Sequence, residues 1–185
     1  EESIKYFDLN GVGKSPSKLD MERILSINEH YIKKLNEDEL YQNLINFAEK
    51  YKNKIESKYE KSLINSIHFL KNKAKKLEDI YKNAEYIFAK KITISEEDVQ
   101  LLDDKSKKII KDFLNNYEQI GRIEKETLEK IIKDLIEKNK TNFKGVGQPL
   151  RIALTGSKFG PGIFDVIQSL EKNEVIKRLK MINEY

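Results

Sequence analysis

Leu128-Glu129-Lys130-Ile131-Ile132-Lys133-Asp134-Leu135-Ile136 decides the fold class. Its apolar residues stand at i, i+3, i+4, i+7 and i+8 with lysine and acidic residues between them, which is one apolar stripe on a solvated helix. Ile109, Ile110, Phe113, Leu114 and Tyr117 repeat the pattern, and so do Leu63, Ile67 and Leu70. Start signals agree: Ser17 with Asp20, Asn36 with Glu39 and Ser95 with Asp98 each set a capping side chain three residues before an acid. Alternating β patterns are nearly absent. The best, Lys91-Ile92-Thr93-Ile94, is too short to anchor a sheet and is expected to connect two halves. The expectation is an all-α fold of two helical subdomains forming a helical bundle. The boundary falls near residues 88 to 95, and residues 1 to 16, with Gly11, Gly13 and Pro16, form a short extended N-terminal lead-in.

Composition narrows the function classes. The chain has 185 residues and 38% are hydrophobic, enough for a core of moderate size. Basic side chains number 35 against 31 acidic ones, so the net charge of +4 does not by itself announce a polyanion partner. There is no cysteine, which removes disulfides and thiolate metal sites. No run approaches the roughly 18 apolar residues of a membrane span, and Glu-Glu-Ser-Ile-Lys at the start lacks the apolar stretch of a signal peptide. A soluble, cytoplasmic protein is expected, and a start at Glu1 without methionine fits a piece of a longer one.

Candidate chemistry is sparse. Gly11-Val12-Gly13-Lys14-Ser15 imitates the end of a phosphate-binding loop, but Asp8 stands where its first glycine belongs and would repel a phosphate, so a turn is expected. His30 and His68 lack the i, i+4 partners of a metal pair, and the carboxylates interleave with lysines as on solvated helix faces. Two segments stand out. Lys71-Asn72-Lys73-Ala74-Lys75-Lys76 carries four lysines in six residues at the end of the Leu63 helix, where the helix dipole also favours them. Six of the eight glycines and two of the three prolines fall within residues 121 to 162, around Gln148-Pro149-Leu150-Arg151 and Gly160-Pro161-Gly162-Ile163-Phe164. Backbone of that kind turns tightly or approaches another molecule closely. Arg151, with its fixed fork of donors, and Phe164 suit hydrogen bonding to and stacking on unpaired bases. Equally, Pro149, Leu150, Ile152 and Leu154 could start and fill a short core helix with Phe164 buried beside it.

Both ends of the chain carry a family resemblance. Val12-Gly13-Lys14-Ser15-Pro16-Ser17-Lys18-Leu19-Asp20, continuing to Ile27-Asn28-Glu29-His30-Tyr31-Ile32, resembles the segment that follows the KMSKS-type loop of bacterial glutamyl-tRNA synthetases. Ser17 replaces that family's Ala, Leu19 its Phe, and Ser26 stands where Trp is usual. Gln148-Pro149-Leu150-Arg151-Ile152-Ala153-Leu154-Thr155-Gly156, then Pro161-Gly162-Ile163-Phe164 and a final helix with Arg178-Leu179, is similar to the family's most diagnostic tail.

The resemblance implies the two-part helical anticodon-binding region of a class I aminoacyl-tRNA synthetase. Residues 1–35 would end the stem-contact region with a lead-in helix, and 36–92 and 93–185 would be the two anticodon-binding subdomains. Arg151 and the turn Gly160, Pro161, Gly162, Ile163 and Phe164 would hold splayed anticodon bases, with Lys71 and Lys73 supplying charge. Lys73 aligns with a position where enzymes restricted to tRNA for glutamate often carry arginine; a lysine keeps the charge and lacks the planar fork. The implied partner is tRNA for glutamate, or also tRNA for glutamine in the related enzymes. No catalytic residue, metal or cofactor is implied in this chain, since no HIGH-like or KMSKS-like motif occurs and ATP belongs to the catalytic half. A monomer without membrane contact is expected. From the residues alone, a helical protein-interaction module stays open.

Overall fold

The computed structural model describes residues 2–9, 18–121 and 123–182. In chain order its helices are α1 (Glu2–Lys5), α2 (Met21–Lys34), α3 (Glu37–Tyr51), α4 (Glu60–Leu70), α5 (Leu77–Phe88), α6 (Glu96–Val99), α7 (Asp104–Gln119), α8 (Lys125–Lys138), α9 (Phe143–Thr155), α10 (Ile163–Ser169) and α11 (Lys172–Met181). No strand occurs among the described residues. The fold is all-α, as the periodicity requires.

The stripes face inward. Ile109, Ile110, Phe113, Leu114 and Tyr117 of α7 are buried, as are Leu128, Ile132 and Leu135 of α8 and Leu63, Ile67 and Leu70 of α4. Each such aliphatic side chain gains about 1.5–3 kcal/mol on leaving water. An exposed pair such as Lys125–Glu129 supplies only about 0.3–0.5 kcal/mol. Burial, not surface charge, therefore holds these helices. One group comprises α3, α4 and α5, and a second comprises α7, α8, α9 and α11. Between them the chain leaves helix from Ala89 to Ser95. The two groups share one apolar core, and α10 packs against both α9 and α4. A buried polar link crosses here: Ser169 Oγ donates to the Val166 carbonyl at 2.8 Å, which leaves Tyr86 as the donor in its 2.7 Å bond to Ser169 Oγ. Burial pushes the Tyr86 phenol up, so it remains a donor at any ordinary pH.

Asn36 and Ser95 cap as expected, accepting the amides of Glu39 at 2.8 Å and Asp98 at 3.2 Å. The first long helix starts later than expected. Asp20 itself is the cap of α2, accepting the Arg23 amide at 3.1 Å, because aspartate caps as well as serine and the apolar face opens only at Met21. Ser17, and the Gly11–Ser15 turn with Pro16, lie outside the described residues. The lead-in expected to be extended contains the helical turn α1. Conversely, α9 starts six residues before Pro149, capped by Asn142, whose side chain accepts the Gly145 amide at 2.9 Å. Pro149 sits inside that helix, where its ring faces the carbonyl of residue i−4, here Gly145. Gly145 and Gly147, in a segment read as turns, are helical.

Among the described residues three buried side-chain atoms have no hydrogen-bond partner; Asp98 Oδ1 and Asp112 Oδ2 lie in ion pairs with Lys158 and Lys138, and the third is the Tyr117 hydroxyl. Tyr117 is fully buried, its hydroxyl has no partner among the described residues, and burial pushes its pKa up to about 12. Stranding a hydroxyl costs about 1–3 kcal/mol, so Tyr117→Phe is expected to stabilise the chain by about 1 kcal/mol. A urea midpoint below that of the parent would show that the hydroxyl finds a partner in solution.

Candidate nucleic-acid interface

At the end of α9 the chain turns through Gly156, whose φ of +82° is left-handed and whose amide bonds the Ile152 carbonyl at 2.8 Å. The loop that follows is braced from two sides. From α9, Arg151 Nε donates to the Pro161 carbonyl at 3.0 Å and Nη1 to the Lys158 carbonyl at 3.1 Å. Burial lowers the Arg151 pKa, yet a guanidinium stays charged throughout the working range. From α6, the buried Asp98 accepts the Lys158 amide at 3.2 Å. The Lys158 ammonium pairs with Glu97 at 2.7 Å and Asp98 at 3.4 Å, and the Glu97 bond raises its pKa. Ser157 Oγ accepts the Phe159 amide at 3.1 Å. Short α6, positioned by its Ser95 cap, thus carries the carboxylates that fix a loop 60 residues away.

Phe159 leaves this fixed loop with 75% of its surface in water. A cleft of about 480 Å³ opens beside it, walled by α5 residues Lys82, Asn83 and Tyr86 and by the connector Lys91, Ile92 and Thr93. A neighbouring cleft of about 570 Å³ is walled by Asn72, Lys73, Asp79, Lys82, Asn83 and Asp165. Lys82, Asn83, Phe159, Gly160 and Pro161 belong to both.

Of the residues read as binders, Lys73, Gly160, Pro161 and Gly162 come together in the second cleft. Arg151 lies behind the loop and spends two donors on its carbonyls. Ile163 is buried at the start of α10, and Phe164 is half-buried with its ring 5.9 Å from that of Phe143. The basic run divides. Lys71 donates to the Leu35 carbonyl at the end of α2 at 3.1 Å, and Asn28 bonds the Lys75 carbonyl, so this part of the run tethers α2. Lys73 is exposed, and no ion pair holds it among the described residues. The carboxylates expected on solvated faces include one exception, Asp98, which is buried as a loop anchor. Sequence reading passed over Phe159, although an aromatic beside Gly160 in a glycine-rich turn is a detectable signal. His30 and His68 are exposed on separate helices, and no described helix is long and apolar enough to cross a membrane.

The anticodon binding domain family matches residues 39–182, the stretch that contains this loop and both clefts. The chain belongs to that family. This anticodon-binding domain is 58% identical over 179 residues to the glutamate–tRNA ligase of Pelagibacter ubique, covering 97% of the chain and 38% of the relative. It is 32% identical to a glutamate–tRNA ligase of Zymomonas mobilis, again with 97% and 38% covered. The chain therefore spans about 38% of the length of these relatives, and matches their C-terminal part. The solved glutamate tRNA ligase of Elizabethkingia meningosepticum superposes with a TM-score of 0.79 at 21% identity, over 99% of this chain and 36% of that one. At that identity the likeness is one of fold.

Proposed function

We propose that the chain reads the anticodon loop of tRNA for glutamate as part of a glutamate–tRNA ligase, with residues 36–92 and 93–185 acting as two subdomains that supply opposite walls of the clefts. The observation that carries this reading is the pair of polar clefts flanking a loop held rigid by Arg151 and Asp98. Unpaired bases are recognised by splaying them into such clefts, where edges find hydrogen-bond partners and faces find a stacking surface. Lys73 and Lys82 supply sequence-blind attraction to phosphate. On this reading the protein works in the cytoplasm as a monomer, and ATP-dependent attachment of glutamate belongs to the part of such ligases outside this chain. Lys73 favours a second substrate: a point charge in place of a planar fork discriminates bases less, so tRNA for glutamine competes measurably.

The test is a titration at fixed salt against the anticodon hairpin of tRNA for glutamate, an anticodon-substituted hairpin and the hairpin of tRNA for glutamine. Each substituted base is expected to cost about 1–3 kcal/mol, or roughly five- to 150-fold. The salt slope is expected to be shallow, because few lysines face the clefts; a slope matching about ten contacts at roughly 0.7 per phosphate contradicts that. Equal binding of all three hairpins would reduce the domain to electrostatic or structural support, the role of a helical interaction module.

A further inference from the structure

We propose that Phe159 is a stacking platform for one unpaired nucleotide of the bound loop, which it holds on its open face where the two clefts meet. The inference rests on the anticodon-loop reading and adds to it a specificity-determining residue. A single exposed aromatic is unremarkable on a protein surface. Phe159 differs in three respects.

First, its backbone is fixed where its side chain has no structural duty. Ser157 Oγ holds its amide, and the Lys158 peptide before it is gripped at both ends, by Arg151 on the carbonyl and Asp98 on the amide. The ring itself is 75% exposed, so these bonds hold a side chain that contributes little to the core. Second, the ring lies where the clefts meet. Both clefts include Lys82, Asn83, Phe159, Gly160 and Pro161, and among the described residues no other aromatic lines both of them. Third, the surroundings suit heterocycles. Volumes of about 480 and 570 Å³ lie within the roughly 300–1,000 Å³ of small-molecule sites. The first cleft is lined by Thr93 and by Ser157, whose hydroxyl accepts the Phe159 amide and keeps its own proton to donate, and the second by the amide of Asn72 and the ammonium of Lys73. Such walls match base edges and phosphate, and among the described residues the phenyl ring is the exposed aromatic face common to both clefts.

The Lys158 ammonium lies 5.4 Å from the ring centroid, tied to Glu97 and Asp98. A cation at that distance steadies the ring. The ammonium takes one face of the ring, so the opposite face is the one left for a base.

The experiment uses hairpins carrying 2-aminopurine in turn at each anticodon position, bound to the parent chain, to Phe159→Leu and to Phe159→Tyr. Leucine keeps apolar bulk and removes the π-face; tyrosine keeps the face. Fluorescence quenching on binding is expected at one position with the parent and the tyrosine variant, and is lost there with leucine. Affinity falls about five- to 150-fold for Phe159→Leu and stays within about threefold for Phe159→Tyr, with the salt slope unchanged. Thermal melts of all three coincide, since the ring is exposed. If the parent discriminates anticodons while Phe159→Leu binds and quenches as the parent does, the platform is overturned and the loop-reading function stands. If the parent is indifferent to the anticodon, the function itself fails. Equal quenching at every anticodon position, unchanged in Phe159→Leu, would likewise overturn the platform.

Discussion

Gly156→Ala is expected to destabilise the chain by about 3 kcal/mol or more, because two independent costs meet at that residue. The left-handed backbone, with φ of +82°, costs a residue with a Cβ about 1–2 kcal/mol. The new methyl also has nowhere to go: it would stand 2.6 Å from the Thr93 carbonyl oxygen and 2.9 Å from Ile92 Cγ2. A carbonyl cannot rotate away as a side-chain tip can. The connector must therefore shift, and Ile94, buried just beyond Thr93, shifts with it. Gly121 is the natural control, since a Cβ there meets nothing within 4 Å. Gly121→Ala should fall within about 0.5 kcal/mol of the parent, as surface changes do. Urea unfolding of both variants checks the contrast. Equal midpoints for the two would mean that the connector yields freely and that its seat against α9 is loose. A loose seat would also weaken the wall that Ile92 and Thr93 give the first cleft.

The same junction shows what a sequence can and cannot disclose. Helices α7 and α8 were legible because periodicity reports which face of a helix meets apolar neighbours, and a stripe such as Ile109 to Tyr117 has only one way to leave water. The caps at Asn36 and Ser95 were legible for a related reason: both partners lie within one turn. Errors arose where a local rule met a competing neighbour. At the first long helix the cap is Asp20, and Pro149 did not begin α9 because Asn142 offered an earlier start. The cleft was half legible. Gly160, Pro161, Gly162 and Lys73 were marked by composition and resemblance, and they do come together. Lys71 and Lys73 looked equivalent in a basic run, yet a 3₁₀ turn over Lys71–Lys73 sends one to the Leu35 carbonyl and the other to the cleft. The bond from the Lys158 amide to Asp98 spans 60 residues, and no spacing rule within either segment announces it. With that brace hidden, Arg151 was read only as a base contact and Phe159 was passed over.

Arg151→Ala is expected to weaken binding of the cognate anticodon hairpin about 10- to 100-fold, more than any single lysine replacement in the Lys71–Lys76 run. Hydrogen bonds from charged donors contribute about 1.5–3 kcal/mol each when buried, and less for a half-buried group such as this one. Losing both bonds frees the Lys158 and Pro161 carbonyls of the loop. The loop then has to be ordered at the expense of binding energy. That origin has a signature. A residue touching one base loses discrimination at one anticodon position, whereas a residue holding the loop that both clefts share loses it in both. Base-substitution penalties at the positions held in the two clefts should therefore shrink together in Arg151→Ala, which double-mutant cycles with substituted hairpins measure directly. Arg151→Lys should recover only part of the affinity, since one ammonium can reach either carbonyl but lacks the fork that spans both. A penalty lost at a single position, with the other intact, would show that Arg151 leaves the loop carbonyls on binding and reads a base itself.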